Sequence, residues 1–313
     1  MRAATVLAQA KINLFLRVLA REVNGYHQLE TLFCRLTLGD EVRVRLTDAG
    51  RSLDCAGIAM PPGGLGPTEK NLAWRAAVAF MEATAWKTGF AIEIEKRIPV
   101  GGGLGGGSAD AGGVLRALNA LAPVPLSAHQ LLRLGAALGA DVPFLTQDAS
   151  PLALAWGRGD RLMPLAPLRE RPCILFAFSS GVSTADAYRW LTEEPASPAG
   201  AIAYRDQQLS RWEDVELMAF NEFERVVLPR HPIIRRVIDG LRHPQIRDAF
   251  PVVLMSGSGA TVFALPAPPS DVAQGGEQLR VDIGIDPSLP GADDAMVLET
   301  ATASHVEPVR LAD

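Results

Sequence analysis

Residues 6–18 are rich in β-forming side chains, and Lys11 and Asn13 stand two apart among them. On a strand that spacing sends both side chains to one face. Asn24-Gly25 marks a turn, and residues 41–46 alternate charged with apolar positions as a half-buried strand does. The pattern predicts a helix over residues 71–82 and a strand over 90–98, with Phe90, Ile92 and Ile94 on one face and Glu93, Glu95 and Arg97 on the other. Ala111, Val114, Leu115 and Leu118 then recur at helical spacing. A further helix is predicted from Ser127, where Gln130 completes a capping box, to a stop at Gly139. Asp141 follows that stop, in a turn-like setting where Asp is common. Beyond Phe144 Pro and Gly interrupt the pattern. Residues 173–178 read as an apolar strand, 194–200 as a loop, and 252–255 and 261–265 as two strands joined by Ser256-Gly257-Ser258-Gly259. A boundary near residue 150 divides the chain into 1–150 and 151–313. Residues 266–294 show no periodicity, and no internal repeat is visible.

Composition narrows the class. The chain has 313 residues, 48% of them apolar and 21% charged, enough to bury a sizeable core in two modest domains. A net charge of −5 with scattered basic residues argues against nucleic-acid binding, which needs clustered Lys and Arg. Cys34, Cys55 and Cys173 are far apart and form neither a CxxC pair nor an even disulfide set, as expected of reduced thiols in a cytoplasmic protein. His129, His231, His243 and His305 lack the spacing of metal ligands. The uncharged run over 251–270 is broken by Ser, Gly and Pro, so no membrane span is expected; a soluble monomer or weak homodimer is.

The chemistry is concentrated between the 90–98 strand and the helix after it. Pro99-Val100-Gly101-Gly102-Gly103-Leu104-Gly105-Gly106-Gly107-Ser108-Ala109 places six glycines in seven positions. Successive backbone N–H groups can converge on an anion there without steric conflict, and the helix start adds partial positive charge. A di- or triphosphate is the ligand such a loop suits. Gly101, Gly103 and Gly106 satisfy GxGxxG, but a dinucleotide fold would place an acidic residue about twenty positions on, and residues 121–125 contain none. No Lys precedes Ser108 as in GxxxxGK[ST], and the HRD and DFG motifs of protein kinases are absent.

PVGGGLGGGSADAGG (99–113) resembles the ATP-binding motif of the GHMP kinases. AKINLFLRV from Ala10, NGYHQLETLF from Asn24, GADVPFL from Gly139 and LMSGSGATVFAL from Leu254 occur in that family's order. Lys11 with Tyr26-His27 is similar to the branch, in non-mevalonate isoprenoid biosynthesis, whose acceptor is a cytidine-diphosphate-linked polyol. The resemblance implies a two-domain α+β fold, with a ribosomal-protein-S5-like N-terminal domain, a ferredoxin-like C-terminal domain and the site in the cleft between them. It implies ATP and Mg²⁺, the latter with Ser108 as one ligand, although Ser108 also suits a helix N-cap. Asp141 takes the position of the catalytic base, with Lys11 as its cationic partner. Asn71 and Lys96 fall near the adenosine end of ATP, and Asp110 reads as a first-turn dipole partner. Tyr26 would stack on cytosine while His27 bonds its edge. A second aromatic would come from Tyr188 or, in competition, Trp190. Asn13, Thr184, Gly257 and Ser258 complete the acceptor side. The rival readings are a homoserine- or mevalonate-type GHMP kinase and, from GxGxxG alone, a nicotinamide-binding oxidoreductase.

Overall fold

The computed structural model describes residues 2–21, 27–179, 181–194, 206–267 and 295–312. Its first sheet is built on one long antiparallel pair, β1 (Ala3–Arg21) and β2 (His27–Thr47), in which Ala3 lies opposite Arg45 and Arg21 opposite His27. Register shifts between Gln9 and Lys11, Asn13 and Phe15, and Val18 and Ala20 bend this pair. Bulges of that kind re-aim side chains, and two of them flank the Lys11–Asn13 segment. β3 (Arg51–Ala56) runs parallel to the strand that follows helix α1 (Leu72–Thr84), namely β4 (Gly89–Glu95), which in turn pairs antiparallel with β2.

The glycine loop leads into α2 (Gly106–Leu121), followed by α3 (Ala128–Leu138) and the single-turn α4 (Val142–Thr146). Asn71 caps α1 by accepting from the Ala73 N–H at 2.9 Å. Ser127 and Gln130 form the reciprocal box predicted for α3. α1 and α2 cover the first sheet, where Phe80, Leu115 and Leu118 share one core with Val42, Val44 and Phe90. β5 (Leu152–Gly157) and β6 (Arg161–Pro164) lie beyond residue 150 yet extend the same sheet, β5 pairing with β2 over Leu29–Cys34.

The second sheet begins at β7 (Pro172–Phe178). After α5 (Thr184–Glu193) and α6 (Trp212–Met218), the two-residue β8 (Phe220–Asn221) pairs parallel with β1 beside Phe15 and Leu16. α7 (Glu224–Val227) and α8 (Pro232–Leu241) precede β9 (Val252–Met255) and β10 (Val262–Leu265). β11 (Ala295–Ala301) joins this sheet and β12 (Arg310–Ala312) returns to the edge of the first beside β1. The second sheet is antiparallel in the order β11-β7-β10-β9. In chain order that is fourth, first, third, second, the split β-α-β arrangement of ferredoxin-like folds. Ile234, Ile238 and Leu241 of α8 share its core with Phe176 and Val262. The whole is the expected α+β architecture.

Two expectations change at the loop and its neighbourhood. α2 starts at Gly106 with Gly105 as its N-cap in the left-handed region, so Ser108 is the third helical residue and not the cap. The turn read around Asp141 is the start of α4, with Asp141 as its N-cap and Pro143 in its first turn. Five residues are too few to show helical periodicity, and Pro at a helix start is easily taken for a loop signal. The loop read over 194–200 and the patternless stretch 266–294 fall largely outside the described residues.

Candidate active site

The glycine loop is held from both sides. Its Leu104 carbonyl accepts from the Lys11 N–H of β1 at 2.9 Å, and its Gly102 carbonyl accepts from the Thr261 N–H at 3.0 Å. The Ser256 hydroxyl donates to the Gly103 carbonyl at 2.9 Å. These contacts explain the residue type. Gly103 has φ +78°, and a Cβ there would stand 2.1 Å from the Ser256 carbonyl oxygen. Pro99, Val100 and the loop through Gly107 and Ser108 line a cavity of about 560 Å³, which Asn71 and Lys96 also border. Ala109 is buried behind the lining. The first-turn N–H groups of α2 lack intrahelical partners, so the rim has the donors an anion needs.

Lys11 and Asp141 meet on the wall of this cavity. The Lys11 ammonium stands 3.4 Å from Asp141 Oδ2; its side chain is 4% exposed while that of Asp141 is 32% exposed. Lys11 also donates to Asn13 Oδ1 at 2.9 Å and lies 5.5 Å over the Phe33 ring. The same Asn13 oxygen accepts from the Gly257 N–H at 3.1 Å, and the Asn13 amide donates to Thr31 Oγ1 at 2.7 Å. A buried ammonium is costly unless paired, and here an acid, an amide oxygen and an aromatic face surround it. The result is a cation fixed beside a carboxylate that still reaches solvent, within reach of whatever enters the cavity.

Behind the loop lies a second ionic cluster. Lys96 donates to Asp40 Oδ2 and, at 2.7 Å, to Asp110 Oδ2; all three side chains are buried. Asp40 Oδ1 also accepts from the Arg97 and Ile98 N–H groups at 2.6 and 2.8 Å, tying the end of the 90–98 segment to β2. Asp110 is therefore a buried ion-pair partner and not the first-turn dipole residue expected. Burial pushes its carboxyl up to about 7, with Asp40 adding to the rise and Lys96 opposing it. Burial would lower Lys96, but Asp110 and Asp40 outweigh it and hold the ammonium above its ordinary value. Both shifts follow from two carboxylates sharing one cation in a dry site.

In the unfolded chain Asp110 titrates near 3.8, so between there and about 7 the folded protein holds a proton that the unfolded chain has lost. This contribution to stability is full below the lower value and is lost as pH rises through the upper one. Against Asp110→Asn, the wild type should lose stability steadily as pH rises through that window, by on the order of 1 kcal/mol per pH unit at most. Denaturant unfolding of both proteins across the range measures it, and parallel stability curves would contradict it.

The His27 and Tyr188 rings stack at 4.7 Å with 21° between planes, and Tyr188 meets Phe223 edge-on at 4.9 Å. Burial, with the Asp141 charge second, pushes the Tyr188 phenol up to about 12. Tyr188 borders both the glycine-loop cavity and an adjoining one of about 680 Å³ that His27 lines. Trp190 instead lies under the Arg230 guanidinium and borders neither of these two cavities. Thr184 and Ser258 share a hydroxyl contact of 2.9 Å at the rim, next to Gly257. Tyr26 falls outside the described residues.

A model of the N-terminal domain of GHMP kinases matches residues 71–148, which include α1, the glycine loop and Asp141. A curated relative from Pelobacter propionicus, 4-diphosphocytidyl-2-C-methyl-D-erythritol kinase, is 37% identical over 265 residues, covering 85% of this chain and 90% of its own. The chain belongs to this kinase family. A solved 4-(cytidine 5'-diphospho)-2C-methyl-D-erythritol kinase superposes with a TM-score of 0.67 at 33% identity, over 96% of this chain and 99% of that one. Homoserine kinase from Cytophaga hutchinsonii superposes with a TM-score of 0.64 at 16% identity, over 99% and 97% of the two chains, and shares the fold alone.

For a kinase of this family several contacts carry no sequence signal of their own. Asn221 of β8 donates through one amide to the Met255 and Gly257 carbonyls at 2.6 and 2.8 Å, and so fixes the second glycine turn against the first sheet. Asp40 pairs with a residue 56 positions away. Neither stands in a motif; only the register of β2 with β4 and the passage of β8 beside β1 bring them in. Among the described residues, no helix is long and apolar enough to cross a membrane.

Proposed function

We propose that this chain transfers the γ-phosphoryl group of ATP to the 2-hydroxyl of 4-diphosphocytidyl-2-C-methyl-D-erythritol, giving ADP and the 2-phosphate in non-mevalonate isoprenoid precursor biosynthesis. The observation that carries this reading is the Lys11–Asp141 pair on the wall of a cavity rimmed by the glycine loop, in a chain whose curated relatives bear that activity in their names. Catalysis of phosphoryl transfer is mainly positioning and charge stabilisation. The loop amides from Gly101 to Ser108 and the first turn of α2 hold the triphosphate. Asn71 and the backbone near Lys96 line the adenosine end, with the Lys96 ammonium engaged by its two carboxylates. Asp141 accepts the acceptor hydroxyl proton, and Lys11 stabilises the alkoxide that develops. Asn13, Gly257, Ser258 and Thr184 frame the acceptor, while His27 and Tyr188, with Tyr26, hold its base.

Mg²⁺ fits a limited role. Ser108 lines the cavity, but Asp40 and Asp110 are committed to Lys96, and among the described residues no group of three acidic, His or Cys side chains could hold a metal. Mg²⁺ characteristically keeps waters and binds substrate phosphates with few protein ligands, so Ser108 is the residue we assign to it. It supplies neutralisation of phosphate charge. The three free thiols fit a cytoplasmic enzyme. Phosphorus NMR of the product tests the reaction: the proposal requires one new monoester, on the 2-oxygen, formed in step with ADP. A monoester on another oxygen, or ADP without ester, would overturn it.

A further inference from the structure

Arg35 is fully buried, and no motif drew attention to it. It stands directly opposite Lys11 in the β1–β2 register, so both side chains leave the same face of the sheet. Their targets are the two ends of one element. Lys11 meets the carboxylate of Asp141, the N-cap of α4. Arg35 donates through Nη2 to the carbonyls of Phe144 and Gln147, at 2.7 and 2.8 Å, where α4 ends. Its guanidinium also lies 5.2 Å over the Phe144 ring, which stacks at 4.9 Å on Phe33, the ring beneath the Lys11 ammonium.

A helix of five residues has too few internal bonds to hold its own position, and its last carbonyls have no intrahelical partners. A buried guanidinium is an expensive way to satisfy them: burial, with Arg116 nearby, pushes Arg35 down to about 9, and its Nε has no partner. Packing alone would not need a charge there. We propose that Arg35 is a positioning residue for Asp141: it anchors the far end of α4 so that the carboxylate at the near end stands against Lys11 and the acceptor hydroxyl. This rests on Asp141 being the base, as argued above. Since a misplacement of about 1 Å can cost on the order of 10²-fold in rate, the effect belongs in kcat and not in the binding of either substrate.

The test is steady-state kinetics with ATP and the cytidine-linked polyol for wild type, Arg35→Lys, Asp141→Asn and the double variant. Arg171→Lys serves as control. Arg171 is also buried, but its guanidinium donates to Pro266 and Glu216 and not to α4. Arg35→Lys should lower kcat by roughly tenfold or more with both KM values within about twofold. In the Asp141→Asn background the same change should cost less than about twofold, because the two residues act as one unit. Arg171→Lys should lower Tm without lowering kcat. Should Arg35→Lys not fold, Arg35→Gln, which keeps an amide donor, carries the same comparison. Unchanged kcat in Arg35→Lys, an equal loss in the Asp141→Asn background, or an equal kcat loss in Arg171→Lys would each overturn the proposal while wild-type turnover stands. A wild type inert toward this acceptor would instead overturn the acceptor assignment.

Discussion

Asp141→Asn should cut turnover by about 10²–10⁴-fold, the usual cost of removing a general base. Folding and ATP affinity should remain close to wild type. Asn keeps the shape of the side chain, and Asp141 makes no side-chain cap bond to α4, so the helix has little to lose. What goes is the charge facing Lys11 at 3.4 Å and the lone pair that, in the proposed mechanism, takes the hydroxyl proton. Because the pair acts together, Lys11→Met combined with Asp141→Asn should cost less than the product of the single losses. The measurement is turnover at saturating substrates for both single variants and the double, with ATP affinity determined separately. Wild-type turnover in Asp141→Asn would reduce Asp141 to a helix cap and leave only the phosphate loop standing.

Replacing cytidine by uridine in the acceptor should lower turnover by about 10²-fold or more, since a site that bonds a base edge leaves donors and acceptors unpaired with the wrong base. Cytosine presents an amino donor where uracil presents a carbonyl. His27 is the edge reader in this account, and its ring already contacts Tyr188. At 4.7 Å the two rings leave no room for a base between them, so on the proposed reading the base stacks outside the pair. Aromatic stacking accepts either pyrimidine, so discrimination falls to the hydrogen bonds. Competition between the two nucleotides at limiting enzyme measures the ratio, and equal turnover would remove the cytosine assignment.

Much of this site is legible before any coordinates, for a physical reason. The strand–glycine loop–helix unit, the Ser127 capping box and the common face of Lys11 and Asn13 all depend on residues close in sequence, and local spacing decides them. The structure brings Lys11 to Asp141 across 130 positions through the packing of α4 against β1, which local pattern does not encode. The same limit hid the Asp40–Lys96–Asp110 cluster and the opposition of Arg35 to Lys11. A charged residue inside an apolar strand, as at Lys11 and Arg35, is the available signal for the latter. Ser is a good N-cap residue in general, which favours Ser108 from sequence, but the cap of α2 is Gly105 in the left-handed region. The continuation of the first sheet through β5 and β6 was equally hidden, since a strand does not announce which neighbour it pairs with.

The acceptor proposed for this site is a cytidine-diphosphate-linked polyol. ADP release should be measured in parallel with 4-diphosphocytidyl-2-C-methyl-D-erythritol, mevalonate and homoserine, because all three would draw on the same glycine loop and differ only in what the rest of the cavity must hold. ADP release with the cytidine-linked polyol alone is the expected result. Comparable release with mevalonate or homoserine, or none with the polyol while another acceptor turns over, would contradict it.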